Sequence, residues 1–171
     1  MRETADDIIR LQILLDTSYS LAGVHLREVI TDDRRLDAES LAAKLDGMCL
    51  LVLATTTSDG RPIAGPVDGI FYRGSFYFGS SPESVRFRHI RNRPAVSATH
   101  LPGEELSVTV HGEAELIDMK SPENAGFRET LLSIYTSRYG AQWETFLDSG
   151  PVYARVNATR MFTFGMPPEN P

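Results

Sequence analysis

Leu106-Ser107-Val108-Thr109-Val110-His111-Gly112-Glu113-Ala114-Glu115-Leu116 decides the fold class. Leu106, Val108, Val110, Gly112, Ala114 and Leu116 alternate with polar or charged neighbours. A period of two sustained over such a stretch predicts a long strand with one face buried and the other wet. Working back towards the N-terminus, Ala95 to His100 reads as a strand, with Pro102-Gly103 as the loop that follows it. A short helix is predicted from Ser81-Pro82, with Ser81 as N-cap and Pro82 at the first helical position, running to about Asn92 and ended by Pro94. Ser75 to Gly79 is a strand, and Arg73-Gly74 is a two-residue turn. Pro62 to Tyr72 is a strand expected to bend at Gly65-Pro66 and at Gly69. Asp59-Gly60 marks a hairpin, and Met48 to Ala54 is a continuous apolar strand extended by Thr55-Thr56-Thr57. On the C-terminal side, Ser121-Pro122-Glu123 opens a helix to about Tyr139, Trp143 and Phe146 lie in or after it, and Val152 to Phe164 is the last strand.

The first part of the chain has a different texture. Ile8, Leu11, Leu15, Tyr19, Ala22, Leu26 and Val29 recur at steps of three or four and paint one helical stripe, which Gly23 interrupts. The charged break Asp32-Asp33-Arg34-Arg35 follows. Asp37 then reads as an N-cap, with Leu36 and Leu41 as a hydrophobic staple and Gly47 as the stop. The expected organisation is a helical extension over 1–47, a barrel domain over 48–165 and a tail over 166–171. Strands joined mainly by hairpins make an antiparallel sheet, and about six of them favour closure into a small barrel. The fold class is therefore mainly β with helices, an α+β protein.

Composition narrows the function. The chain has 171 residues, 17 Lys+Arg against 23 Asp+Glu, and a net charge of -6. An acidic surface argues against a nucleic-acid coat, which needs a basic one. The single cysteine, Cys49, excludes an internal disulfide framework, sits in an apolar run as an inert core residue, and fits a reducing, cytoplasmic setting. No apolar run is long enough for a membrane-spanning helix, and no secretion signal opens the chain.

Within this acidic chain, Arg86, Arg88, Arg91 and Arg93 crowd together behind Ser80, Ser81 and Ser84. A helix start offers unpaired N–H groups, and an arginine one turn in adds a bidentate contact to a phosphate. The residues thus predict an anion site here, suited to a phosphate monoester. A capped surface helix with solvated arginines explains the same local pattern. His89, His100 and His111 are scattered, and His111-x-Glu113 supplies too few ligands for a metal site. There is no Gly-x-Ser-x-Gly, no P-loop and no Gly-x-Gly-x-x-Gly.

Several segments together resemble one family. These are Leu50-Leu51-Val52-Leu53-Ala54-Thr55, Asp59-Gly60-Arg61-Pro62 and Gly65-Pro66-Val67, then Phe76-Tyr77-Phe78-Gly79-Ser80 and Asn92-Arg93-Pro94-Ala95-Val96-Ser97, with Val108 to Ala114 last. In order and spacing, with Arg86 ahead of Pro94, they resemble the pyridoxamine 5'-phosphate oxidase-like, FMN-binding split barrels over about residues 38 to 118. The resemblance implies a six-stranded antiparallel split β-barrel that forms a homodimer, with FMN held at the subunit interface. It implies that Arg86 grips the FMN phosphate together with the hydroxyls of Ser80 and Ser81. It also implies that the backbone of Pro66, Val67, Asp68 and Gly69 borders the flavin ring. Arg61, Arg88 and Arg160 are second-tier ligands. The oxidase itself carries a C-terminal arginine–histidine motif and a tryptophan–arginine segment, and Arg155 to Phe162 holds neither. The implied activity is therefore an FMN-dependent oxidoreductase acting on a small molecule other than pyridoxamine phosphate. A deazaflavin-dependent reductase and a non-enzymatic flavin or haem carrier are the alternatives on the same barrel. No nucleic-acid or membrane partner and no metal are expected.

Overall fold

The computed structural model describes residues 2–166. Apart from Met166, the tail expected over 166–171 lies outside them. Six strands form one closed antiparallel barrel: β1 (Met48–Thr56), β2 (Pro62–Tyr72), β3 (Ser75–Ser80), β4 (Ala95–Gly103), β5 (Leu106–Ile117) and β6 (Val152–Gly165), in the ring order β1-β2-β3-β6-β5-β4. The described helices are α1 (Ala5–Ser20), α2 (Val24–Val29), α3 (Ala38–Lys44), α4 (Val85–Asn92), α5 (Ala125–Tyr139) and α6 (Gln142–Asp148). The α+β split barrel expected from the sequence is the observed architecture.

The turns follow the local chemistry. Arg73 and Gly74 both have positive φ, 49° and 78°, as a two-residue turn between Tyr72 and Ser75 requires. The β1–β2 connection is wider than Asp59-Gly60 alone. The Thr57 N–H donates to the Arg61 carbonyl at 2.9 Å, and Gly60 takes the left-handed position at φ 85°.

Four local expectations need correction. Helix α4 starts at Val85, not at Ser81-Pro82, because the Ser84 N–H turns back onto the Ser81 carbonyl and the Ser84 hydroxyl caps the Phe87 N–H. Pro102 and Gly103 belong to β4 across a register shift, and the chain reverses at Glu104-Glu105. β2 does not bend at Gly65-Pro66 or Gly69, since its ladder with β1 runs unbroken from Pro62 to Ile70. Gly69 serves its neighbour instead: a Cβ there would collide with the Leu51 side chain. The N-terminal stripe stays buried only to Ala22, and α2 beyond Gly23 buries no residue.

The core has two parts. Inside the barrel, Leu51, Leu53, Phe71, Phe76, Phe78, Val108, Val110 and Met161 meet Leu11 and Leu15 of α1, Leu41 of α3, and Phe87 and Ile90 of α4. Outside it, Ile70, Tyr72, Tyr77 and Tyr153 pack under Phe127, Leu131 and Tyr135 of α5. Full burial of each large apolar side chain stabilises by about 1.5–3 kcal/mol.

The barrel is split where neighbouring strands diverge. β3 pairs with β6 only from Tyr77–Arg155 to Ser80–Val152. Beyond that, α1 covers the β6 edge. The Met161 N–H donates to Ser18 Oγ at 2.9 Å, Tyr19 Oη donates to the Thr163 carbonyl at 2.7 Å, and the Leu36 N–H donates to Thr163 Oγ1 at 3.0 Å. A strand edge left bare inside a core would strand its polar groups, and these contacts satisfy them. No helix among the described residues is long and apolar enough to cross a membrane.

Candidate functional site

The second split lies between β2 and β3. Residues 62–68 of β2 pair with β1 alone, and the ladder to β3 begins only at Gly69–Phe78. The edge of β2 from Pro62 to Asp68 is therefore free of strand partners, and α4 stands beside it. Phe87 and Ile90 fix the rotation of α4 by entering the barrel core. Arg86 is turned to the flank that faces β2, and its Nη2 donates to the Pro66 carbonyl at 2.8 Å. Gly65 lies beside the guanidinium: a Cβ at that position would sit in ordinary contact with Arg86 Nη2, at 3.8 Å.

Arg86 is half-buried and forms no ion pair among the described residues. Burial pulls its pKa below the ordinary arginine value. A desolvated guanidinium with only a carbonyl as partner retains unused donors and an uncompensated charge, which is the property of an anion receptor. Ser80 ends β3 half-buried, and Ser81 is exposed with its Oγ accepting from the Glu83 N–H at 3.4 Å. Both precede the Ser84 cap on the short connection into α4.

The fold thus brings Arg86 to Pro66 and places Ser80 and Ser81 on the segment leading into α4. Val67 and Gly69 point into the barrel, so only their backbone is available, whereas Pro66 and Asp68 lie on the outer face. Arg61 and Arg88 are not brought to Arg86. Arg61 is exposed in the hairpin loop, paired with Asp59 at 2.9 Å, four strand residues or about 13 Å from Gly65. Arg88 projects from the opposite flank of α4, about 160° away from Arg86 around the axis. Arg160 sits on β6 opposite His111 and donates to the Thr159 carbonyl at 2.7 Å.

His89 is a neighbour of this cluster that sequence reasoning leaves among the scattered histidines. It lies one turn after Arg86, and its Nδ1 is 2.9 Å from Oγ1 of the buried Thr55. The i,i+3 spacing from Arg86 is the signal that finds it. His100 and His111 engage the Leu50 carbonyl and Ser97 Oγ through Nδ1, at 2.9 and 2.8 Å. Burial pushes the Cys49 thiol up to about 11, as an unreactive core position requires.

The outer face of the same strands is open. Leu50 and Val52 of β1 and Leu101 of β4 are 55%, 52% and 60% exposed, beside Pro66 and Asp68. A cavity of about 1140 Å³ lies elsewhere, between α1, β5, β6 and the start of α5, and shares no residue with the Arg86 cluster.

Comparison with known proteins gives one family. The model of the family described as pyridoxamine 5'-phosphate oxidase matches residues 38–161. No curated protein matches the chain in sequence. Among solved structures, the fold is similar to the conserved hypothetical protein Rv2991 from Mycobacterium tuberculosis, with 19% identity and TM-score 0.63 over 78% of this chain and 88% of that one. It is similar to an FAD-binding protein from Mesorhizobium loti, with 21% identity and TM-score 0.54 over 76% of this chain and 93% of that one. It is also similar to the haem storage protein HutZ from Vibrio cholerae, with 18% identity and TM-score 0.58 over 77% of this chain and 97% of that one.

Proposed function

The chain belongs to the pyridoxamine 5'-phosphate oxidase family, and from that premise we propose that it is an FMN-dependent oxidoreductase acting on a small molecule other than pyridoxamine phosphate. One observation carries the reading: Arg86 is a half-buried guanidinium with no carboxylate partner among the described residues, laid over Gly65 against the free edge of β2. A phosphate dianion is the natural complement of such a fork. In this reading Arg86 holds the FMN phosphate, with the Ser80 and Ser81 hydroxyls donating to its remaining oxygens. The backbone of Pro66, Val67, Asp68 and Gly69 flanks the ring.

Bound FMN would supply the hydride and electron transfer that no side chain of this chain offers. The chain's own part is to bind, orient and exclude water. The apolar outer face at Leu50, Val52 and Leu101 supports a homodimer that covers the ring. The unpaired, buried Cys49 supports a cytoplasmic setting.

The test is direct. Purified protein is expected to carry flavin absorbance, and FMN at a hundred times its Kd is expected to add about 2.7 kcal/mol of stability, read as a raised Tm. Light scattering is expected to give a dimer. A colourless protein whose Tm ignores FMN refutes the reading. Two alternatives share the barrel. A deazaflavin, with its longer acidic tail, would draw on Arg88, Arg91 and Arg93, and parallel titration separates it from FMN. Haem is favoured by His100 and His111, whose Nδ1 atoms are engaged and leave Nε2 for an iron. A Soret band on reconstitution, lost on replacing these histidines, would select that reading.

A further inference from the structure

Asp68 is the last residue of β2 before the ladder to β3 begins, and it lies opposite exposed Leu50 on the outer face. One register step past Gly69–Phe78 puts Gly79 beside it, and Gly79 in turn pairs with Tyr153 of β6. A Cβ at Gly79 would collide with the Tyr153 ring, so this glycine lets the ring lie across β3 towards Asp68. Tyr135 of α5 packs in the same buried cluster as Tyr153, its ring 4.2 Å from Trp143 of α6. Burial first, and then the nearby Asp68 charge, raise the pKa of both phenols. Tyr135 and Tyr153 are only 4% and 5% exposed, yet their hydroxyls make no hydrogen bond among the described residues. Asp68 is half-buried and has no hydrogen bond or ion pair among the described residues.

We propose that Asp68, Tyr135 and Tyr153 form a subsite for an organic cation beside the flavin, so that the substrate carries a positive charge. This rests on the flavin reading for its neighbour, but not for its own chemistry. A carboxylate and two phenol oxygens offer acceptors to an ammonium or a protonated ring nitrogen, and aromatic faces attract cations. Asp68 is the cluster's one carboxylate, and its charge favours a cation over an anion there. The sequence hides the arrangement, because its three members come from β2, α5 and β6.

The chain's single tryptophan, Trp143, reports on the cluster through Tyr135. Benzylammonium, benzyl alcohol and benzoate are titrated into the full chain, with and without FMN, and Trp143 emission is followed. Benzylammonium is expected to give a saturable change and to bind roughly tenfold more weakly to Asp68→Asn, with benzyl alcohol and benzoate weaker on the wild type. Tyr153→Phe, which keeps the ring, is expected to lose about threefold by removing one acceptor. No saturable change, equal binding to wild type and Asp68→Asn, or benzoate matching benzylammonium overturns the proposal. A protein that ignores FMN but still discriminates by charge refutes the flavin reading and leaves the cation subsite standing. One that binds FMN without charge discrimination does the reverse.

Discussion

Replacing Arg86 by alanine separates a ligand-binding arginine from a structural one. In the free protein the guanidinium makes one hydrogen bond, Nη2 to the Pro66 carbonyl, and carries a partly desolvated charge with no ion pair among the described residues. A net hydrogen bond contributes about 0.5–1.5 kcal/mol, and relief of the desolvated charge offsets part of that. The expected loss of stability is thus below about 1 kcal/mol, a Tm change of about 2–4 °C at most for a chain of this size. The effect on FMN is larger. Charge-assisted hydrogen bonds contribute about 1.5–3 kcal/mol, so Arg86→Ala is expected to weaken FMN roughly 10- to 150-fold. Arg86→Lys keeps the charge but not the fork and should fall between. The assay pairs urea unfolding of the flavin-free protein with FMN titration by absorbance or fluorescence quenching. If Arg86→Ala binds FMN within twofold of wild type, the phosphate role assigned to Arg86 is wrong. If the variant instead loses 3 kcal/mol of stability, Arg86 is a strut between α4 and β2.

Other consequences can be measured without a ligand. Ser18→Ala leaves the Met161 N–H without its acceptor in a fully buried setting and should cost about 1–3 kcal/mol in chemical denaturation; no measurable change would mean that α1 does not seal β6. Gly69→Ala forces a methyl onto the Leu51 side chain and should destabilise by about 1–3 kcal/mol, with a neutral result pointing to slack in the β1–β2 layer. Burial alone would raise the Asp7 pKa, but hydrogen bonds from the Thr4 backbone and hydroxyl and from Arg10 outweigh it and hold the carboxyl below its ordinary value. A depressed folded-state pKa gives stability that is present above the unfolded value and lost as pH falls through the folded one. Asp7→Asn should therefore lower Tm at pH 7 and matter much less near pH 3; equal effects at both would refute the ionic contribution. With its thiol raised to about 11, Cys49 should resist a thiol reagent at pH 8 until the chain unfolds, and fast labelling of the native state would contradict its burial.

Legibility in the sequence follows the physics of each element. β5 declares itself because a strand half in water must alternate, and Asp37 declares α3 because its side chain caps the Ser40 N–H at 2.7 Å. Arg86 is legible because helix start, hydroxyls and arginine stand close together in the chain. Arg61 and Arg88 look equivalent to it only until strand extension carries one away and helix rotation turns the other outward. The glycines of β2 mislead for a related reason. Gly65 and Gly69 read as bends, but what Gly69 accommodates, the Leu51 side chain, arrives from another strand. The α4 start was displaced by three residues because Ser81-Pro82 and Ser84 are both plausible caps, and only the turn between them decides. The Asp68 surroundings depend on tertiary placement that no local pattern encodes.

The sealing of β6 by α1 has a kinetic side. Tyr19 and Thr163, 144 residues apart, must meet before the edge from Met161 to Thr163 is covered. Contacts of such long separation impose a large loop-closure cost before they return any stability, and chains that depend on them fold slowly. Until they form, one end of the molecule carries an apolar helix stripe and the other an unpaired strand, each a ready template for a second chain. Slowing or deleting the first helix is therefore expected to show first as concentration-dependent aggregation during refolding, ahead of any change at the cleft beside Arg86.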